Sequence, residues 1–165
     1  MSEAKNEFMR EALAMAEAAL SVPGEKPFAA VVVRDGKIIG RGVNRVDTLA
    51  DITAHGEIEA MRDACRHHGT DLSGCEMYTT CEPCIMCVAT MELAGITRIH
   101  YAASMQSAGR VLQSIRPDFV EQYRRIRESV CAPFTNRPVP AIQQCEEESL
   151  ALLAEWARRE LARRN

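Results

Sequence analysis

The chain has 165 residues, 47% of them hydrophobic and 26% charged, with a formal net charge of −3. That is ordinary globular usage and enough length to bury a core, so a disordered chain is excluded and one domain spanning 1–165 is expected. The small negative charge gives no general pull toward nucleic acid or a membrane, and neither an uninterrupted apolar leader nor a run near the ~18 residues of a bilayer span is found, so the chain reads as cytoplasmic.

Residues 3–20 bring Phe8, Leu13, Met15, Ala16 and Leu20 near one helical face, predicting a first helix that "SVPGEKP" breaks. Two apolar runs, "FAAVVV" and "KIIGRGV", flank Asp35-Gly36, a pair that favours a tight hairpin turn. A polar loop, "NRVDTLADIT", follows. From His55 to His67 the spacing of Ile58, Ala60, Met61 and Cys65 predicts a helix that Gly69 ends. "CEMYTT" reads as a strand, "PCIMCVATMELAG" as a helix with Pro83 in its first turn and Gly95 at its end, and "TRIHYAA" as another strand. Further on, a loop over 104–116, a helix over 117–128, a loop over 132–140 and a last strand over 141–145 are expected. A closing helix, acidic first and basic last as the helix dipole favours, completes the chain, so that the C-terminal strand and helix occupy about 139–163. The order α-β-β-α-β-α-β implies an α/β protein: a helix-covered sheet, antiparallel at its start and joined by parallel crossovers later.

Seven cysteines, an odd number in a chain long enough to need no staples, point to metal ligands or small buried residues rather than disulfides. Cys65, Cys75, Cys131 and Cys145 are expected in the core. Cys81, Cys84 and Cys87 cluster in "TTCEPCIMC". Cys84 and Cys87, three apart at a helix start, place both sulfurs on one face, where unpaired backbone amides stabilise thiolates. His55 stands at another helix start. One imidazole and two thiolates would hold a zinc ion and leave a fourth position open, as catalytic zinc sites do. Cys81 could close the site as a fourth ligand, giving a structural Cys3His centre, but at the end of a strand before a proline turn its side chain is expected to point elsewhere. Glu57, two residues after His55, is too close to chelate comfortably and well placed for proton transfer beside the metal. Its other reading is a first-turn glutamate favoured by the helix dipole.

His55-Gly56-Glu57 with Pro83-Cys84-Ile85-Met86-Cys87 follows the H-x-E, P-C-x-x-C signature of zinc nucleobase deaminases. With "PFAAVVVRDGKIIGRGVNR", "HGEIEAMRDA", "MYTTCEPCIMC" and "TRIHYAA", the chain resembles the cytidine deaminase-like superfamily over about residues 5–105, in the branch that holds guanine deaminases and bacterial tRNA adenosine deaminases. The resemblance implies a three-layer α/β/α fold with a central mixed five-stranded sheet. It implies one zinc per chain held by His55, Cys84 and Cys87, and Glu57 as the catalytic proton shuttle. It implies that Asn44, Phe28 and Ala30 border the substrate, that Glu82 has a structural role, and that the chains pair as homodimers. The apolar face of the second metal-bearing helix (Ile85, Met86, Val88, Met91) points the same way.

Three departures matter. Gly56 stands where alanine is usual. The loop "SMQSAGRVLQS" has no acid where guanine-specific members carry one. "FAA" follows Pro27 where tRNA-acting members have valine-glycine. The leading expectation is therefore hydrolytic deamination of a small heterocyclic amine such as guanine, cytosine or isocytosine, a nucleoside, or a pterin or triazine. A tRNA adenosine-to-inosine deaminase, contacting phosphates through Arg158, Arg159, Arg163 and Arg164, is the second reading. A non-catalytic zinc-containing binding module is the third.

Overall fold

A computed structural model describes residues 3–133 and 138–164. The chain falls into two compact units, Met1–Ile126 and Arg127–Asn165. The first carries a four-stranded sheet in the order β2-β1-β3-β4, with β1 at Lys26–Arg34, β2 at Lys37–Asn44, β3 at Glu76–Cys81 and β4 at Arg98–Ala103. β1 pairs antiparallel with both β2 and β3, and β3 pairs parallel with β4. Asp35 and Gly36, with φ of 50° and 71°, make the expected hairpin turn, in which both central residues need the left-handed region.

Alternation along β1 and β3 divides the core. Val31, Val33 and Tyr78 face helix α1 (Glu3–Ala19), where they pack with Ala12, Phe8, Met9 and Met15. Ala30, Val32 and Met77 face the other way, toward α3 (Gly56–His68) and α4 (Ile85–Ala94). The first helix thus forms as expected, but its buried stripe runs through Ala12, Ala16 and Ala19, and Leu13 and Leu20 face solvent. Helical spacing gives the stripe only to within a residue or so, and small alanines let α1 lie close to the sheet.

α3 lies on β2 through two glycines. A β-carbon on Gly40 would stand 2.3 Å from the Ala60 carbonyl oxygen, and one on Gly42 would stand 2.2 Å from both the Ala60 amide nitrogen and the Gly56 oxygen. Gly56 presses in turn on β1, where a β-carbon would come within 2.6 Å of the Phe28 oxygen.

Several elements differ from expectation. The polar loop after β2 contains a single helical turn, α2 (Val46–Leu49). Pro83 precedes α4 rather than entering it, because Cys84 is the N-cap residue. A short helix, α5 (Met105–Leu112), replaces the start of the 104–116 loop, with the Ser104 hydroxyl accepting from the Ser107 amide at 3.1 Å. The next helix, α6 (Phe119–Cys131), runs past the expected end.

In the second unit, residues 141–145 are irregular and exposed, and α7 (Glu146–Arg164) follows. Among the described residues the sheet therefore has four strands, not five. Pro138 and Pro140 precede the expected fifth strand and remove ladder donors there. Cys145 adopts a positive φ of 54°, outside the strand region. Cys131 and Cys145 are exposed rather than buried, whereas Cys75 is buried and Cys65 packs against the core. Part of the 132–140 loop, residues 134–137, lies outside the described residues. Among the described residues no helix is long and apolar enough to cross a membrane.

The contact of α3 with β2 is backbone against backbone, so it has no room to relax. Gly42→Ala is expected to lower stability by about 1–3 kcal/mol, the usual cost of overpacking, read as a fall in denaturant midpoint without a change in slope. An unchanged midpoint would show that α3 can move off the sheet freely.

Candidate active site

Two helices begin at the same place. His55 is the N-cap of α3 and Cys84 the N-cap of α4, and neither side chain makes the usual capping hydrogen bond to its own helix. His55 Nδ1 lies 3.6 Å from each of the Cys84 and Cys87 sulfurs, which are 3.5 Å apart. A tetrahedral zinc site with ordinary Zn–S and Zn–N bonds has ligand-to-ligand edges of about 3.6–3.8 Å. The three donor atoms therefore fit one zinc ion, and the donor set of one imidazole and two thiols suits it.

Electrostatics favour thiolate at this corner. The Cys84 thiol is held at about 4, first by the hydrogen bond from the Cys87 thiol and then by His55, against burial. The same pairing and burial push Cys87 up. Cys84, by its hydrogen bond, raises the pKa of His55. Cys81 is different: it is not in the donor group, and burial pushes its thiol up to about 11.

Glu57 is 7% exposed, one residue into α3 from Gly56. Thr79 Oγ1 donates to its Oε1 at 3.3 Å, and Cys87 Sγ lies 3.6 Å from its Oε2. Burial raises the carboxyl above its ordinary range. It is a shielded carboxylate set beside the metal donors, suited to taking and returning a proton. Thr79, on β3, has no expected role from the sequence; only its place in the alternation opposite Tyr78 would have aimed it toward α3.

The loop leading into His55 is pinned by charge. Arg62 on α3 donates to Glu59 at 2.6 Å and to the Thr53 hydroxyl at 2.9 Å, and pairs with Asp51 at 3.1 Å. The Asp51 carboxylate in turn accepts from the amide and the hydroxyl of Thr53. On the other side, Glu82 Oε2 accepts from the Met105 amide at 2.8 Å, tying the cysteine loop to the first residue of α5.

These residues open into a cavity of about 410 Å³. Phe28 and Asn44 line it with His55, Glu57 and Cys84. Asn44 is buried, and its Oδ1 also accepts from the Val46 amide at 3.4 Å. Ala30 does not line the cavity; it is fully buried in the core under β1. Met105 and Arg116 bring the 104–116 segment into the wall, as a pocket bordered by that loop requires, and the part with no expected role from the sequence is Phe119, Gln122 and Tyr123 of α6. The aromatic pair at positions i and i+4 was the available signal. The two rings meet edge to face, 5.0 Å between centroids.

The fold and the His/Cys/Cys site define a zinc-dependent deaminase of the nucleobase and nucleoside class. Residues 2–103 match the cytidine and deoxycytidylate deaminase zinc-binding region, and the chain belongs to that family. It is 40% identical over 109 residues to a tRNA-specific adenosine deaminase of Aquifex aeolicus, covering 66% of this chain and 72% of that one. It is 33% identical over 150 residues to a guanine deaminase of Bacillus subtilis, covering 90% and 91%. The X-ray structure of guanine deaminase from Bacillus subtilis superimposes with a TM-score of 0.81 at 32% identity, covering 96% of this chain and 95% of that one.

Replacing a ligand should remove the metal, and replacing its neighbour should not. Elemental analysis is expected to find about one zinc per chain in the unaltered protein and in Cys81→Ser, and little in Cys84→Ser. Loss of zinc from Cys81→Ser would reassign the donors.

Proposed function

We propose that the chain hydrolyses the exocyclic amine of a small amino-heterocycle of guanine type, releasing ammonia, with His55, Cys84 and Cys87 holding one zinc ion. The observation that carries this reading is the buried carboxylate of Glu57 beside a three-donor metal cluster, both facing a cavity large enough for a purine. Zinc, when bound, supplies Lewis-acid activation of the attacking water. Glu57 takes a proton from that water as its oxygen bonds to the amine-bearing ring carbon, then delivers a proton to the amine nitrogen as the carbon–nitrogen bond breaks. The ring leaves as its oxo form and the nitrogen as ammonia. Thr79 holds the carboxylate in place, while Phe28 and Asn44 border the ring.

A free substrate is favoured over tRNA by two facts. The likeness to guanine deaminase runs through nearly the whole chain and so takes in the α6 wall of the cavity, whereas the tRNA-specific relative from Aquifex aeolicus matches two thirds of it. Three of the four arginines expected to meet phosphates are also engaged locally: Arg158 and Arg159 pair with Glu155, and Arg163 with Glu160, all on α7, while the Arg164 side chain lies outside the described residues. The chain is further proposed to form a homodimer. Met91 is buried in the core, but Ile85, Met86 and Val88 are partly exposed, and Leu93 is 90% exposed on the same helix.

Glu57→Gln is expected to retain zinc and lower turnover by at least ~10²-fold, the usual size of a general acid–base contribution. Ammonia release from a panel of bases and nucleosides measures it; inosine formed in tRNA, with every small substrate inert, would overturn the choice of substrate. Sedimentation at micromolar concentration should give a dimer, and a monomer there would refute the pairing.

A further inference from the structure

The α6 wall of the cavity lies outside the family's matched residues, yet it carries a polar device of its own. Arg116 precedes α6 and lines the cavity. Its Nη2 donates to Gln122 Oε1 at 2.8 Å, and its Cζ lies 5.6 Å from the centroid of the Phe119 ring. Gln122 and Phe119 line the cavity as well. A hydrogen bond and a cation–π contact thus steady a side chain that is otherwise exposed. Phe119 itself is anchored, 6% exposed and packed against Tyr123.

The chemistry of this wall is one-sided. A guanidinium has N–H donors and no acceptor. The two carboxylates that line the cavity are both engaged: Glu57 by Thr79 and Cys87, Glu82 by the Met105 amide. On α6, Glu121 is bound by Arg124 and does not line the cavity. A substrate edge rich in N–H groups would therefore find no carboxylate on this wall. An edge that presents an exocyclic oxo oxygen and a neighbouring unprotonated ring nitrogen would find a planar donor fork, the arrangement by which arginine reads the O6/N7 edge of guanine in nucleic acids.

We propose that Arg116, oriented by Gln122 and Phe119, is the specificity-determining residue of this cavity and reads an oxo-bearing, acceptor-rich edge of the substrate ring, as on a 2-amino-6-oxopurine. This rests on the aminohydrolase reading above and adds to it the chemical feature that the substrate must carry. Arg116 touches the ring and takes no part in proton transfer.

Binding separates the two readings because it needs no turnover. The zinc-loaded Glu57→Gln protein is titrated with fluorescent 2-aminopurine, which has the amine but no oxo group, and 8-azaguanine, which has both, competes it off. Adding Arg116→Ala should raise the Kd of 8-azaguanine by roughly 10- to 100-fold and that of 2-aminopurine by less than about threefold. Arg116→Lys, which keeps the charge but not the fork, should fall between. Equal weakening of both ligands would reduce Arg116 to a structural role, and no weakening of 8-azaguanine would remove it from recognition; either overturns the proposal while leaving the aminohydrolase reading in place. Failure of the Arg116-containing protein to bind either compound overturns the substrate reading itself, and this proposal with it.

Discussion

The site depends on how closely α3 can approach the sheet. Gly40 and Gly42 leave β2 without side chains on the face that α3 covers, and Gly56 does the same for α3 where it meets β1. Backbone then rests on backbone, and the first turn of α3 is fixed to the strands more tightly than packing of side chains could fix it. That turn carries both His55 and Glu57. The candidate metal donor and the buried carboxylate are therefore positioned by one rigid contact, and their spacing does not depend on rotamer choice alone.

The same corner shows two helices whose caps are made of metal ligands. Ser, Thr, Asp or Asn at an N-cap satisfies a free backbone amide with its own oxygen. His55 and Cys84 do not, since their side chains point to each other across the gap between the helices. The positive ends of α3 and α4 instead converge on the His55, Cys84 and Cys87 donors, where thiolate charge is favoured. What a capping side chain would supply to each helix separately, a metal ion held by His55, Cys84 and Cys87 would supply to both together.

Much of this was legible in the chain itself. Asp35-Gly36 located the hairpin because so few residue pairs tolerate two positive φ values in succession. Gly69 and Gly95 marked helix ends for the same reason. The donors His55, Cys84 and Cys87 could be named from spacing because metal chemistry restricts the residue types so strongly. The α6 wall was harder to read. Phe119 and Tyr123 look like any amphipathic pair, and only the tertiary position of α6 makes these core-packed rings also a wall of the cavity. The expected strand at 141–145 failed for a related reason. A short run containing Ala141 and Ile142 has too little pattern to specify a strand, and whether it becomes one depends on a pairing partner that periodicity cannot see. Likewise Cys131 and Cys145 were assigned to the core by residue type, although their surroundings, not their chemistry, decide exposure.

The hydrogen bond from the Met105 amide to Glu82 places a seam in the chain. Before it come the candidate metal donors and the buried Glu57 carboxylate; after it come α5 and the wall formed by Arg116, Phe119, Gln122 and Tyr123. The Glu82 carboxylate ties the two blocks where one ends and the other begins, and Tyr123 joins them again by packing against the core cluster that holds Cys84 and Cys87. The spacing of His55, Glu57, Cys84 and Cys87 is set by α3, α4 and the sheet, so the later block bears on it chiefly through Tyr123. A designer wishing to reshape the cavity would begin with residues 105–126 and keep Tyr123, where the later block rests on the shared core.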